Sequence, residues 1–112
     1  MQLCDLPAYE LAALLRQRKV SAVEILESCL QRVETVDGRP GTLESGEMTP
    51  EDRQTVHAMI SLTPERAREQ ARLVDQNLAA GAEVGPLAGI PFTVKDIFTV
   101  RGTPTTAASR IL

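Results

Sequence analysis

Apolar residues recur at three- and four-residue spacing through the first third of the chain, and that period predicts two helices. In the first, Pro7 suits the opening turn, Ala8, Leu11, Leu14 and Leu15 form one face, and Arg16, Arg18 and Lys19 bring positive charge to the C-terminal end. The spacing predicts a helix over about residues 7–18. Ser21 opens the second as a capping box, its hydroxyl accepting from the amide of Glu24 while the Glu24 carboxylate accepts from the amide of Ser21. Ala22, Ile25, Leu26, Cys29, Leu30, Val33 and Val36 then make a continuous apolar stripe, read as core rather than as a partner-binding face. Cys29 falls inside that stripe and reads as a small buried hydrophobe.

The period breaks from Asp37 to Gln54, where Gly38, Pro40, Gly41, Gly46 and Pro50 stand among scattered acidic residues, and a surface insertion is expected over about residues 37–55. Within it, Thr49 as cap, Pro50 at the first helical position and Asp52 near the helix dipole predict a short helix. Ala58–Leu62 reads as a short buried strand. Thr63 and Pro64 then open a third helix with Ala67, Ala71, Val74 and Leu78 on its inner face. Glu65 with Arg68 and Glu69 with Arg72 pair on its outer face, and Gly81 lies just past its end. Ile90–Lys95 adds a second strand. Two leading helices followed by a β-α-β unit define an α/β fold, with parallel pairing and helices on the sheet's faces.

Composition narrows the function more than the fold. The 112 residues suffice for one domain or part of one, and twelve basic against fifteen acidic side chains give a net charge of -3, which lacks the positive field of a nucleic-acid binder. Only Tyr9, Phe92 and Phe98 are aromatic, so no base-stacking platform is expected. Cys4 and Cys29 have no further Cys or His at ligand spacing, so no zinc site is predicted and both read as reduced thiols of a cytoplasmic protein. No run approaches membrane-spanning length, and the N-terminus, with Asp5 and no basic segment, does not read as a signal peptide.

Candidate chemistry gathers near the end, in Gly85-Pro86-Leu87-Ala88-Gly89-Ile90-Pro91-Phe92-Thr93-Val94-Lys95-Asp96 and the turn-rich Gly102-Thr103-Pro104-Thr105-Thr106-Ala107-Ala108-Ser109. Strand alternation turns Ile90, Phe92 and Val94 one way and Lys95 the other, and brings Lys95 out at the strand's carboxyl end, where open α/β sheets bind ligands. On spacing alone a solvated charge at the strand end is the favoured reading of Lys95. The glycines are turn-formers, because the Gly-x-x-x-x-Gly-Lys-Ser/Thr pattern of a phosphate-binding loop is absent. His57, the single histidine, has no second ligand or nucleophile near it in sequence and reads as a satisfied polar residue.

These two runs resemble the lysine block of the amidase signature family, and the leading helices resemble that family's N-terminal region. The resemblance implies an α/β/α sandwich with a mixed sheet, of which residues 1–112 are the N-terminal part of a single domain. It also implies a Ser, cis-Ser, Lys triad with Lys95 in the lysine position, no cofactor held by this chain, and a carboxamide substrate. The 24–36 helix, the strand with Ile60 and Ser109-Arg110-Ile111-Leu112 are most similar to the glutamine-hydrolysing A subunits of tRNA-dependent amidotransferases. That branch implies B and C partner subunits, the B subunit using ATP and magnesium. The family's two serines lie in a Gly-Gly-Ser-Ser-Gly-like segment that these 112 residues do not contain, and Ser109, Thr105 and Thr106 read instead as turn-capping or backbone-bonding residues. A stand-alone amidase on another carboxamide and a non-catalytic interaction module are the competing readings.

Overall fold

The structure, a computed structural model, describes residues 1–40 and 46–111. Among them stand α1 (Ala8–Arg16), α2 (Ala22–Val36) and α3 (Pro64–Ala79), with short 3-10 turns at Leu3–Asp5 and Asp52–Gln54. The chain groups into two compact units, Met1–Arg32 with Thr63–Pro91 and Val33–Leu62 with Phe92–Leu112, so that α2 begins in one and ends in the other. No helix among the described residues is long and apolar enough to cross a membrane.

In the first unit the predicted faces meet. Leu11 and Leu15 of α1, Ala22, Ile25 and Leu26 of α2 and Ala71 of α3 are buried together, with Ile25 fully enclosed. Ala67, Val74, Leu78 and Ile90 pack against them from the edge. The stripe on α2 is core only in its first half: Cys29 is half-buried, not fully enclosed as expected, and Val36 is 47% exposed.

The helix ends show why these segments start and stop where they do. At the start of α2 the capping box forms in both directions, Glu24 N–H to Ser21 Oγ at 3.0 Å and Ser21 N–H to Glu24 Oε2 at 2.7 Å. The amides of Ala22 and Val23 donate to the two carboxylate oxygens of Asp75 on α3, at 2.7 and 3.2 Å. Each amide of that first turn therefore has an acceptor. α1 and α3 both close in the paired bonds of a Schellman motif. In α3 these run from Ala82 N–H to Asn77 O (2.9 Å) and from Gly81 N–H to Leu78 O (3.1 Å), with Gly81 at φ +73°, as its place in the sequence predicts. In α1 they run from Lys19 to Leu14 (3.0 Å) and from Arg18 to Leu15 (2.9 Å), with Arg18 in the left-handed region at φ +55°. The expected Glu65–Arg68 pair is present at 2.7 Å, and Arg68 also reaches Glu27 of α2 at 2.6 Å.

The second unit differs from expectation. Asp37 and Asp52, placed by the sequence in a surface insertion, are each only 6% exposed. Asp37 accepts from the amides of Ala58 (2.5 Å) and Met59 (3.1 Å). Asp52 accepts from Arg39 Nε (2.7 Å) and Nη2 (2.5 Å) and from the amide of Thr49 (2.8 Å). The Thr49 hydroxyl accepts from Asp52 N–H at 3.2 Å, but the helix begins at Asp52 rather than Pro50, with Glu51 and not Thr49 at the N-cap position, and lasts a single turn. The chain leaves it at Thr55, which is extended at φ -118° and ψ 163°.

No strand occurs among the described residues, and neither Ala58–Leu62 nor Ile90–Lys95 is paired into a ladder. A strand needs a neighbour for its amides. Those of Ala58 and Met59 go to the Asp37 carboxylate, that of Ile90 to Leu87 O (3.1 Å), and Leu62, read as buried, is 40% exposed.

Candidate active site

The approach to Lys95 starts in the first unit. Gly85–Gly89 is a turn, with Ala88 N–H on Gly85 O at 3.1 Å and Arg16 Nη2 donating to Pro86 O at 3.3 Å. Gly89, at φ +82°, lies so close to the helices that an added Cβ would meet Ala22 Cβ and Leu15 Cδ1 at 3.0 Å. The glycine is thus required both by the backbone and by the space, which agrees with its reading as a turn-former.

Lys95 belongs to the second unit, and its side chain is exposed. Its carbonyl accepts from Phe98 N–H at 3.0 Å, closing a turn directly after it. Asp96, half-buried, organises the loop beyond that turn. One carboxylate oxygen accepts from Thr106 N–H at 3.0 Å. The other accepts from the Thr106 hydroxyl and from Ala108 N–H, the latter at 3.4 Å. The Asp96 carbonyl takes Ala107 N–H at 3.2 Å. The Thr106 hydroxyl and amide are the leading reasons why the Asp96 carboxyl is held below its ordinary value.

The loop so gripped has two turns. Gly102, at φ +83°, lets Thr103 N–H reach Val100 O at 3.1 Å, with the Thr103 hydroxyl on the same carbonyl at 2.9 Å. Ala107 and Ala108 sit at φ +48° and +53° between Thr106 O and Ser109 N–H, 2.9 Å apart, a turn that normally calls for Gly or Asn. The Ser109 hydroxyl accepts from Ile111 N–H at 3.2 Å. Thr106 and Ser109 accordingly hold loop backbone, as expected. Asp96 stands out in the sequence only as a neighbour of Lys95; its one local signal is an aspartate at a turn ahead of a Thr-rich segment.

His57 is also satisfied. Its Nδ1 lies 2.8 Å from Arg39 O, and its Nε2 lies 2.8 Å from both Asp52 O and Thr55 Oγ1.

The sequence profile of the amidase family matches residues 49–112, more than half of the chain and all of the Lys95–Ser109 segment. This chain belongs to the amidase family. Among its amidase relatives is the A subunit of the glutamyl-tRNA(Gln) amidotransferase of Thermobifida fusca, 40% identical over 99% of this chain and 19% of the relative. The corresponding A subunit from Desulforudis audaxviator is 42% identical over 100% of this chain and 20% of its own length. That of Acidothermus cellulolyticus is 42% identical over 94% of this chain and 18% of its own length. The amidase chain described here thus spans about a fifth of the length of these relatives. No solved structure gives a significant match.

Lys95 is the sequence-predicted catalytic residue among the described residues, and it stands exposed. What the described residues supply is a hydrogen-bonded turn and loop directly after it.

Proposed function

We propose that this chain is the lysine-bearing N-terminal part of a glutamine-hydrolysing subunit of a tRNA-dependent amidotransferase, the enzyme that converts Glu-tRNA(Gln) or Asp-tRNA(Asn) to the amidated form. The observation that carries the reading is the 40–42% identity, over nearly the whole chain, to amidotransferase A subunits. Lys95 is the base. In neutral form it draws a proton through a bridging serine from a nucleophilic serine, which attacks the amide carbon of glutamine. The carbon–nitrogen bond breaks, ammonia leaves with the proton returned through the same relay, and water hydrolyses the glutamyl ester to glutamate and free serine. Both serines come from a segment outside these 112 residues.

The same reading assigns tRNA, ATP and magnesium to a B subunit, adds a small C subunit, and places the assembly in the cytoplasm. In it, Ile90–Lys95 joins a mixed sheet within an α/β/α sandwich. Phe92 and Val94, 84% and 46% exposed, support that step, since apolar side chains at alternate positions suit a covered sheet face. The test is a chimaera in which residues 1–112 replace the matching N-terminal segment of the Thermobifida fusca relative. It should hydrolyse glutamine and co-purify with that relative's B and C subunits, and Lys95→Ala should lower kcat by about 10²–10⁴-fold. Full activity in Lys95→Ala excludes the assignment of the base.

A further inference from the structure

We propose that Asp96, acting with Thr106, is a positioning residue for Lys95. The proposal rests on the assignment of Lys95 as the base. Asp96 is the next residue in the chain, so a carboxylate free of the loop would be a neighbouring charge for Lys95. The structure gives the carboxylate other partners: the Thr106 amide at 3.0 Å, the Thr106 hydroxyl, and the Ala108 amide at 3.4 Å. Its charge is compensated by dipoles of the loop.

The same bonds fix geometry. Asp96 holds residues 106–108 through both side chain and carbonyl, while Phe98 N–H closes the turn on the Lys95 carbonyl at 3.0 Å. Ala107 and Ala108 occupy the left-handed region, which costs about 1–2 kcal/mol per non-glycine residue, so this loop conformation is held by surrounding bonds rather than by its own preference. Removing the carboxylate releases that loop and with it the C-terminal anchor of Lys95. A base misplaced by about 1 Å loses on the order of 10²-fold in rate.

Two measurements decide the matter. In the chimaera, Asp96→Asn and Thr106→Val should lower kcat for glutamine about 10- to 100-fold with KM held within about twofold, and Thr106→Ser, which keeps the hydroxyl, should restore at least half of the lost rate. A kcat within twofold of the parent in Asp96→Asn, or a loss confined to KM, or an equal loss in Thr106→Ser, overturns the positioning role. Lys95→Ala in the same chimaera separates the two claims: if it stays active the base itself is misassigned, and if it is dead while Asp96→Asn is unimpaired only the positioning role fails. Should the chimaera not fold, amide hydrogen exchange in the 112-residue chain answers instead. Asp96→Asn should speed exchange at Thr106, Ala108 and Phe98 at least tenfold and leave Ile25 in the helical core unchanged. Unaltered exchange at Phe98, the reporter on the Lys95 carbonyl, overturns the proposal.

Discussion

Gly89 shows how much one hydrogen atom can decide. Its neighbours Ala22 and Leu15 are buried on helices, so a Cβ arriving 3.0 Å from them has little room to be accommodated. Gly89→Ala adds a left-handed backbone cost of about 1–2 kcal/mol to an overpacking cost of about 1–3 kcal/mol, and urea unfolding should show a loss of about 2–5 kcal/mol. A loss below about 0.5 kcal/mol would contradict the close packing. At His57 the residue scale is set by protons. Both ring nitrogens lie 2.8 Å from carbonyl oxygens, of Arg39 and of Asp52, and a neutral imidazole donates to only one of them. Those two carbonyls, then the charges of Asp52 and Asp37, raise the pKa above its ordinary 6.5. A raised folded pKa means stabilisation that is complete below 6.5 and is lost as pH climbs through the folded value. Asp52 has the opposite sign: the Thr49 amide and then the Arg39 guanidinium lower it from 3.8 to about 2, so its contribution is complete above 3.8 and disappears as pH falls toward 2. Melting temperature against pH should therefore fall on both sides, with His57→Asn flattening the alkaline limb and Asp52→Asn the acid limb. An alkaline limb unchanged in His57→Asn rules out that role.

At the scale of elements, α2 is held at its start by a local and a distant device. Ser21→Ala removes the local cap and should cost about 0.5–2 kcal/mol. Asp75→Ala removes a carboxylate that accepts from two helix amides and should cost about 1.5–3 kcal/mol, read from chemical denaturation with the slope unchanged. Equality with wild type would mean that water replaces Asp75 without cost. α1 ends on Arg18 where a glycine fits better. Relief of about 1–2 kcal/mol of left-handed strain exceeds the added chain entropy of about 0.5–1 kcal/mol, so Arg18→Gly should raise stability by about 0.5–1 kcal/mol. The capping box, Pro64 at a helix start and Gly81 at a helix end are all legible in the sequence, because each device joins residues only a few positions apart. Asp75 is not: it lies 53 positions from Ala22, and on α3 it looks like any other polar position.

For the whole molecule, the consequence of the proposed function is that these 112 residues alone release no ammonia from glutamine, since one member of a three-residue relay has no nucleophile to serve. A coupled ammonia assay of the purified chain should match the buffer blank. Turnover that disappears in Lys95→Ala would show that a nucleophile resides within the chain. The exposure of Phe92, Ile97 and Phe98 at 84%, 56% and 61% belongs to the same picture, apolar surface beside the lysine that the described residues do not cover.

By itself the sequence determined the three helices, most of their caps, the glycine turn ahead of Lys95 and the family block around it. Helical period and capping depend on bonds spanning about three to five residues, and such bonds are written in the local order of side chains. Only the tertiary structure decided that Asp75 caps α2, that Asp37 and Asp52 are buried acceptors, and that Asp96 grips Thr106. It also decided that the two expected strands stand unpaired among the described residues. A carboxylate accepts from whichever amide the fold brings to it, and a strand pairs only with a neighbour at hand. Neither partner is marked in the residues that wait for it.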